Sequence, residues 1–185
     1  MATVFVAVAG RHGTNASNFY GMFREEPNVP SPQTRHKARR PISVRPVTLR
    51  HLMGSIADAR APEIGVVSHG NTSGLVLRVL PNISLGIDVP MVEALLGNDT
   101  DDTVANNMQP GASRALVNAV RQLRRNIERV QALHLQRVEI RGCRIGHRQP
   151  VLRALKRLFG AQALSAPRML DGYGTLRVTP DHNPE

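Results

Sequence analysis

Hydrophobic and polar positions along the chain follow two different periods, one typical of strands and one typical of helices. Apolar or alternating runs rich in β-branched residues predict strands at residues 3–9, Glu63–Ser68, Ser73–Leu80, Arg137–Arg141 and Ala161–Ser165. Apolar residues at helical spacing predict helices at Thr48–Ala59, Val89–Leu96, Ser113–Leu135 and Pro150–Phe159. Weaker signals predict a short helix at Asn15–Phe23 and strands at Ile42–Val47 and Thr175–Thr179. The polar segment Asn98–Gly111 is interpreted as a loop.

The alternation of strands and helices favours a three-layer α/β domain with a mainly parallel central sheet. With 185 residues, the chain is expected to form one domain over residues 1–185. Two segments depart from the regular pattern: a loop rich in proline and arginine at residues 24–47, and a turn-rich tail from residue 171. In sheets of this kind, functional groups collect at the carboxyl ends of the strands.

The composition excludes several classes of site. Cys143 is the only cysteine, so the chain has no internal disulfide and no zinc site that needs two or more cysteines. We expect neither a metal nor a cofactor. No run of about 18 apolar residues occurs, so no membrane-spanning helix is predicted. The N-terminal segment lacks the basic region of a signal peptide and is interpreted as a strand, which favours a cytoplasmic protein.

The chain carries a formal net charge of +10, which suits a nucleic acid or another anionic partner. Of the 24 basic residues, however, all except Lys37 and Lys156 are arginine, a skew that a GC-rich coding sequence produces by itself. Aromatic residues make up only 3% of the chain, so platforms for base stacking are scarce. The charge is therefore interpreted mainly as coding bias and solubility, with nucleic acid as a less favoured partner.

Two reactive side chains directly follow predicted buried strands. His69 comes after the strand Glu63–Ser68, and Cys143 comes after the strand Arg137–Arg141. If these strands are parallel neighbours, both side chains lie on one rim of the sheet, where the imidazole can serve a thiol nucleophile as general base and acid. The backbone N–H groups of Gly70 and Cys143 can then stabilise the oxyanion of the reaction.

The residues around His69 and Cys143 resemble those of the caspase-like cysteine peptidases, a group that includes caspases, metacaspases, legumains, gingipains and their bacterial relatives. The resemblance rests on Ile64–Gly70 (IGVVSHG), on Val138–Arg144 (VEIRGCR) and on the predicted order of elements. It implies a caspase-like fold, a protein or peptide substrate, and a cysteine endopeptidase with a dyad of His69 and Cys143. The positive charges of Arg141 and Arg144, on either side of the cysteine in the chain, favour the thiolate form.

The segment after the first strand contains two further candidates. The pair His12-Gly13 also follows a strand and competes with His69 for the role of base. His69 is preferred because its strand lies closer in chain order to the strand before Cys143. The segment from Arg11 onward resembles the caspase loop whose arginine lines the pocket for an acidic substrate residue. The resemblance implies that Arg11 binds Asp or Glu in a bidentate pair.

Three other functions remain open from the residues. One is an α/β-hydrolase with a triad of Cys143, Asp171 and His182 in the usual chain order. Its nucleophile elbow would need glycines where Arg141 and Ile145 stand. The second is a caspase-like interaction module without catalysis, and the third is a basic nucleic-acid binder. Thiol reactivity separates the enzymes from the interaction module, and salt-dependent binding identifies the nucleic-acid binder.

Overall fold

The computed structural model describes residues 3–7, 41–42, 48–83, 85–141, 144–167 and 181–182. They contain a six-stranded sheet with the strand order β2-β1-β3-β6-β7-β8. Its strands are β1 (Thr3–Ala7), β2 (Pro41–Ile42), β3 (Glu63–Ser68), β6 (Arg137–Arg141), β7 (Ala163–Pro167) and β8 (Asp181–His182). Two short strands, β4 (Gly70–Asn71) and β5 (Gly74–Leu75), form an antiparallel hairpin directly after β3.

The sheet is mainly parallel. Each neighbouring pair from β2 to β7 is parallel, whereas β8 pairs with β7 in the antiparallel sense. Val66 of β3 lies beside Phe5 of β1 on one side and Ile140 of β6 on the other, and all three side chains are fully buried. Continuous apolar runs are typical of parallel strands because helices cover them. The predicted α/β class with a mainly parallel sheet is therefore confirmed.

Five helices accompany these strands: α1 (Leu49–Ala59), α2 (Val89–Leu96), α3 (Asp101–Met108), α4 (Arg114–Gln131) and α5 (Gln149–Phe159). The first four begin at side-chain caps that accept a backbone N–H of the first turn: Thr48, Asp88, Thr100 and Ser113. The predictions for α1, α2, α4 and α5 are confirmed, although α4 ends four residues before the predicted Leu135. No helix in the described ranges is both long and apolar enough to cross a membrane.

The five helices form a single layer, because α4 packs against α1, α3 and α5, and α2 packs against α5. Their apolar side chains join one core with the strand residues Phe5, Ile64, Val66, Val138, Ile140 and Leu164. The strands β1, β3, β6 and β7 are added in one direction across the sheet. Right-handed crossovers in one direction place their helices on one face. The described residues contain no second helical layer, and the three-layer arrangement stays a prediction.

The predicted loop Asn98–Gly111 is wrong, since α3 occupies most of it. The helix is polar, and its pattern conceals a short buried face made by Val104 and Ala105. Its start is marked by the cap Thr100, and the two aspartates that follow the cap interact favourably with the helix dipole. Capping chemistry therefore identifies this helix better than hydrophobic spacing does.

Two predicted strands have different limits in the structure. The segment Ser73–Leu80 forms a strand only at Gly74–Leu75, and its remainder makes isolated bridges. The strand predicted at Ala161–Ser165 lies two residues later along the chain. The predicted helix Asn15–Phe23 and strand Thr175–Thr179 lie outside the described residues.

Arg124 of α4 connects the ends of α2 and α3 to the helical layer. Its guanidinium donates to the carbonyl oxygens of Ala94 at 2.9 Å and Gly97 at 3.2 Å, where α2 ends. The same group donates to the carbonyl oxygen of Asp99 at 2.6 Å and to the Asp101 carboxylate at 3.4 Å, where α3 begins. A cation at the end of α2 satisfies carbonyl groups that have no partner within the helix.

Replacing Arg124 with methionine is expected to lower the free energy of unfolding by about 1.5–3 kcal/mol, because hydrogen bonds to a charged donor are lost. Arg121→Met is the matched control, since Arg121 also pairs with Asp101, at 3.0 Å, but its side chain is 47% exposed. Such an exposed pair contributes less than about 1 kcal/mol. Urea unfolding measures both variants. Equal losses would show that Arg124 acts only as a surface charge.

Candidate functional site

The strand order reverses direction at β1, because β2 lies on one side of it and β3 on the other. Ligands of open parallel sheets bind outside the carboxyl ends of the strands at such a reversal. The last described pair of β1 and β3 joins Ala7 to Ser68. His69, the next residue, therefore lies at the edge of the sheet where this fold favours a binding site.

His69 is held at this edge by the chain on both sides of it. Ile64, Val66 and Val67 of β3 are at most 1% exposed, so they anchor the strand that leads to the histidine. The carbonyl oxygen of His69 accepts a hydrogen bond from the N–H group of Val76 at 2.8 Å. The residue is half-buried, and its Nε2 atom is shielded from solvent.

The β4–β5 hairpin after His69 is firmly tied to the rest of the fold. The Oδ1 atom of Asn71 accepts hydrogen bonds from the N–H groups of Ser73 at 2.8 Å and Gly74 at 3.1 Å, which closes the turn. Leu75 exchanges two backbone hydrogen bonds with Ile87, at 3.2 and 3.0 Å. The hairpin therefore gives the histidine a fixed support.

Gly70 has an N–H group that the hairpin does not use. Gly70 and Leu75 face each other in the antiparallel hairpin, and the Val76 N–H group bonds to His69 across the positions next to them. Gly70 and Leu75 are therefore a non-hydrogen-bonded pair, whose backbone groups do not bond to each other. The N–H group of Gly70 is consequently directed away from β5. This orientation is compatible with the predicted role of that group as an oxyanion donor.

The strand β6 ends at the same edge of the sheet as β3. The two strands are parallel neighbours, and their last described pair joins Val67 to Arg141. Cys143, with its predicted oxyanion N–H group, lies outside the described residues. Along the chain, Cys143 follows Arg141 by two positions, and His69 follows Val67 by the same number.

The remaining predicted site residues are described only in part. Arg11, His12 and Asp171 lie outside the described residues. The backbone of His182 belongs to β8, where it pairs with Ala166 of β7. Because β7 separates β8 from β6, His182 and His69 lie on opposite sides of β6, and His182 lies one strand farther away.

Two buried polar side chains, Glu139 and Ser165, are neighbours on the face of the sheet away from the helices, and the sequence pattern did not reveal them. Glu139 of β6 lies between Gly65 of β3 and Ser165 of β7, and it is only 2% exposed. Its neighbours Val138 and Ile140 belong to the core on the helical face. Apolar and charged residues therefore alternate along β6, a pattern typical of a strand with one face exposed to solvent. The useful signal is the central position of β6, since both faces of a central parallel strand are covered.

Among the described residues, no group of three or more His, Cys, Asp and Glu side chains is arranged to hold a metal ion. Comparisons with protein-family models, curated proteins and solved structures find no match to this chain. The geometry of the sheet edge is therefore the observation that bears on function.

Proposed function

We propose that this chain is a cysteine endopeptidase with a three-layer caspase-like domain, in which Cys143 is the nucleophile and His69 is the general base and acid. The pairing of β3 with β6 carries the proposal, because both residues follow the last described pair, Val67–Arg141, by two positions. Adjacent strands lie about 4.8 Å apart, and two residues span at most about 7 Å. These limits are compatible with a thiol and an imidazole within reach of each other.

The proposed reaction begins when the thiol of Cys143 gives its proton to His69. The thiolate sulfur then bonds to the carbonyl carbon of the peptide, and the N–H groups of Gly70 and Cys143 donate to the resulting oxyanion. Collapse of the oxyanion breaks the C–N bond while His69 protonates the departing amine, which leaves a thioester on Cys143. A water molecule that His69 deprotonates hydrolyses the thioester, and the sulfur leaves as the thiol.

The residues around Cys143 in the chain support a thiolate at this position. Arg141 and Arg144 flank the cysteine, and Arg144 is exposed. Nearby cations stabilise a thiolate and lower the pKa of its thiol. Ile145 is fully buried and begins a short 3₁₀ helix, so the chain is anchored in the core two residues after the cysteine.

In the proposed enzyme, Arg11 binds the acidic side chain of the substrate residue before the cleaved bond. Arg11 follows β1 in the chain, and the carboxyl end of β1 lies beside that of β3 through the pair Ala7–Ser68. A guanidinium group at this edge suits a carboxylate because two parallel hydrogen bonds can form.

The α/β-hydrolase triad of Cys143, Asp171 and His182 is the second candidate. The backbone of His182 pairs with β7, so about two strand spacings, or roughly 10 Å, separate it from β6. β3 is a direct neighbour of β6. The strand order therefore favours His69 over His182 as the partner of the cysteine.

Cleavage of an unfolded protein tests the proposed function. The wild-type chain and Cys143→Ala are incubated with a reduced and alkylated protein, and new termini are mapped by mass spectrometry. We expect cleavage after acidic residues by the wild type and none by the variant. Equal cleavage by both proteins would contradict a role for Cys143. An unreactive thiol together with no cleavage would instead support a non-catalytic interaction module.

A further inference from the structure

The exposed surface between α1 and α4 contains a hollow of about 620 Å³. A second hollow of about 360 Å³ adjoins it along α4. Arg50 and Gln122 line both, so the two form one continuous surface, which we call the α1–α4 cleft. Its lining combines small apolar residues and the acid Asp58 with a set of basic and amide side chains: Arg50, Asn118, Arg121, Gln122, Arg125 and Asn126. The cleft belongs to the helical layer and is separate from the edge of the sheet that carries His69.

Two arginines of the cleft have no acidic partner in the part of the chain that the structure describes. Arg50 and Arg125 form no ion pair with any residue that the structure describes. Arg50 donates a hydrogen bond to the neutral Oε1 atom of Gln122 at 3.3 Å. Among the described residues, no carboxylate therefore offsets the positive charge of either guanidinium group.

Asp58, which lines the cleft, and Asp101 are each paired with an arginine. Asp58 accepts a hydrogen bond from Arg129 at 2.7 Å. Asp101 pairs with Arg121 at 3.0 Å and with Arg124 at 3.4 Å. Each of these acids thus has an arginine of its own, and the surface retains an excess of positive charge. Such a surface attracts an anionic ligand.

Three amide side chains form a row along the cleft, because Asn118, Gln122 and Asn126 recur every four residues of α4. Their oxygen atoms already accept hydrogen bonds: Asn118 from Arg121 at 3.2 Å, Gln122 from Arg50 at 3.3 Å, and Asn126 from Arg129 at 3.3 Å. Each guanidinium still has further N–H donors. The surface therefore suits a ligand that is rich in acceptors, as a row of phosphate groups is.

The length of the surface and the scarcity of exposed rings favour a duplex. The residues of α4 that line the cleft run from Ala115 to Asn126, a rise of about 16 Å, which equals about five phosphates along one strand of a duplex. The two aromatic residues in the described ranges, Phe5 and Phe159, are fully buried. The imidazole of His51 is the one ring among the lining residues, so the cleft offers no series of rings on which successive unpaired bases can stack.

We propose that the α1–α4 cleft binds the phosphate backbone of a nucleic-acid duplex. Arg50 and Arg125 supply the main charged contacts. The amide side chains of Asn118, Gln122 and Asn126 orient the guanidinium groups to which they are hydrogen-bonded. Contacts to phosphate carry no sequence information, so the binding is independent of base sequence. Composition alone did not favour this partner. The new observation is that one cleft contains two arginines without an acidic partner among the residues described.

Fluorescence anisotropy of a labelled DNA duplex of about 20 base pairs tests the proposal, with NaCl varied between about 50 and 200 mM. The variant Arg50→Gln/Arg125→Gln is expected to bind at least about tenfold more weakly than wild type, and its salt slope is expected to fall by about one for each arginine lost. Arg137→Gln/Arg153→Gln is the matched control, because it removes the same charge from exposed arginines that do not line the cleft. The control is expected to lose much less affinity.

Arg50→Lys/Arg125→Lys keeps the charge and is expected to retain most of the salt slope, and circular dichroism checks that each variant is folded. Equal losses in the glutamine variant and its control would overturn the proposal, since they would show a response to net charge alone. Tighter binding of a single strand, or of a glutamate-rich peptide of equal charge, would also overturn it. No binding of the duplex at the lowest salt would do the same.

Discussion

His69→Ala is expected to lower kcat/KM for peptide hydrolysis by roughly 10²- to 10⁴-fold, the usual contribution of a positioned general acid–base group. The loss is large because the imidazole both accepts the proton of Cys143 and returns a proton to the leaving amine. The backbone of His69 is well fixed for this role, since its carbonyl oxygen is bonded to Val76 at 2.8 Å. Steady-state kinetics with a fluorogenic peptide that has aspartate before the cleaved bond measure the effect.

His182→Ala is the matched control, because it removes a histidine from another strand of the same sheet. Its backbone pairs with β7 rather than β6, and we expect kcat/KM to stay close to the wild-type value. The reverse outcome, in which His69→Ala is active and a folded His182→Ala is not, would replace the dyad by the hydrolase triad. Circular dichroism of both variants shows that the comparison concerns folded proteins.

Gly74→Ala is expected to destabilise the protein and to reduce turnover together. The backbone at Gly74 has a φ of +151°, and a Cβ atom there would collide with the carbonyl oxygen of Ile87. We expect about 1–3 kcal/mol from the backbone conformation and about 1–3 kcal/mol more from the collision. Turnover falls as well because the displaced hairpin carries the Val76 N–H group that holds His69. Urea unfolding and peptide hydrolysis measure the two effects.

Gly111→Ala isolates the contribution of the collision. Gly111 also has a positive φ, +69°, but a Cβ atom there would have no neighbour within 4 Å. We expect a loss of about 1–2 kcal/mol from the backbone alone and an unchanged kcat/KM. If the two glycine variants lose the same stability and both keep full turnover, the hairpin does not support the site as described.

Much of the fold was predictable because its central strands are short, apolar and β-branched. Glu63–Ser68 and Arg137–Arg141 have the predicted limits, since the first is a nearly continuous apolar run and the second alternates charged and β-branched residues. The helix α3 was not predictable from spacing, because its buried face is only Val104 and Ala105. The pairing of Ser73–Leu80 was overestimated, because a β-branched run shows propensity but not whether a partner strand lies beside it.

The sequence predicts the candidate site only to the extent that it predicts where strands end, and it does not predict which strands are neighbours. The sequence places His69 directly after an apolar strand, and the structure adds that β3 is the neighbour of β6 and that their last pair is Val67–Arg141. That adjacency depends on contacts between residues far apart in the chain, which local patterns do not contain. The burial of Glu139 has the same origin, since it follows from the position of β6 between β3 and β7.

The pH dependence of Cys143 alkylation tests the His69–Cys143 pair most directly, because the chain has one thiol and the readout needs no substrate. Iodoacetamide reacts with the thiolate, so the midpoint of the rate against pH gives the thiol pKa. We predict a wild-type midpoint below the ordinary value of about 8.5, since the imidazolium of His69 stabilises the thiolate, and a higher midpoint in His69→Gln. A thiol that is alkylated only after unfolding, or a midpoint that His69→Gln leaves unchanged, would contradict the dyad.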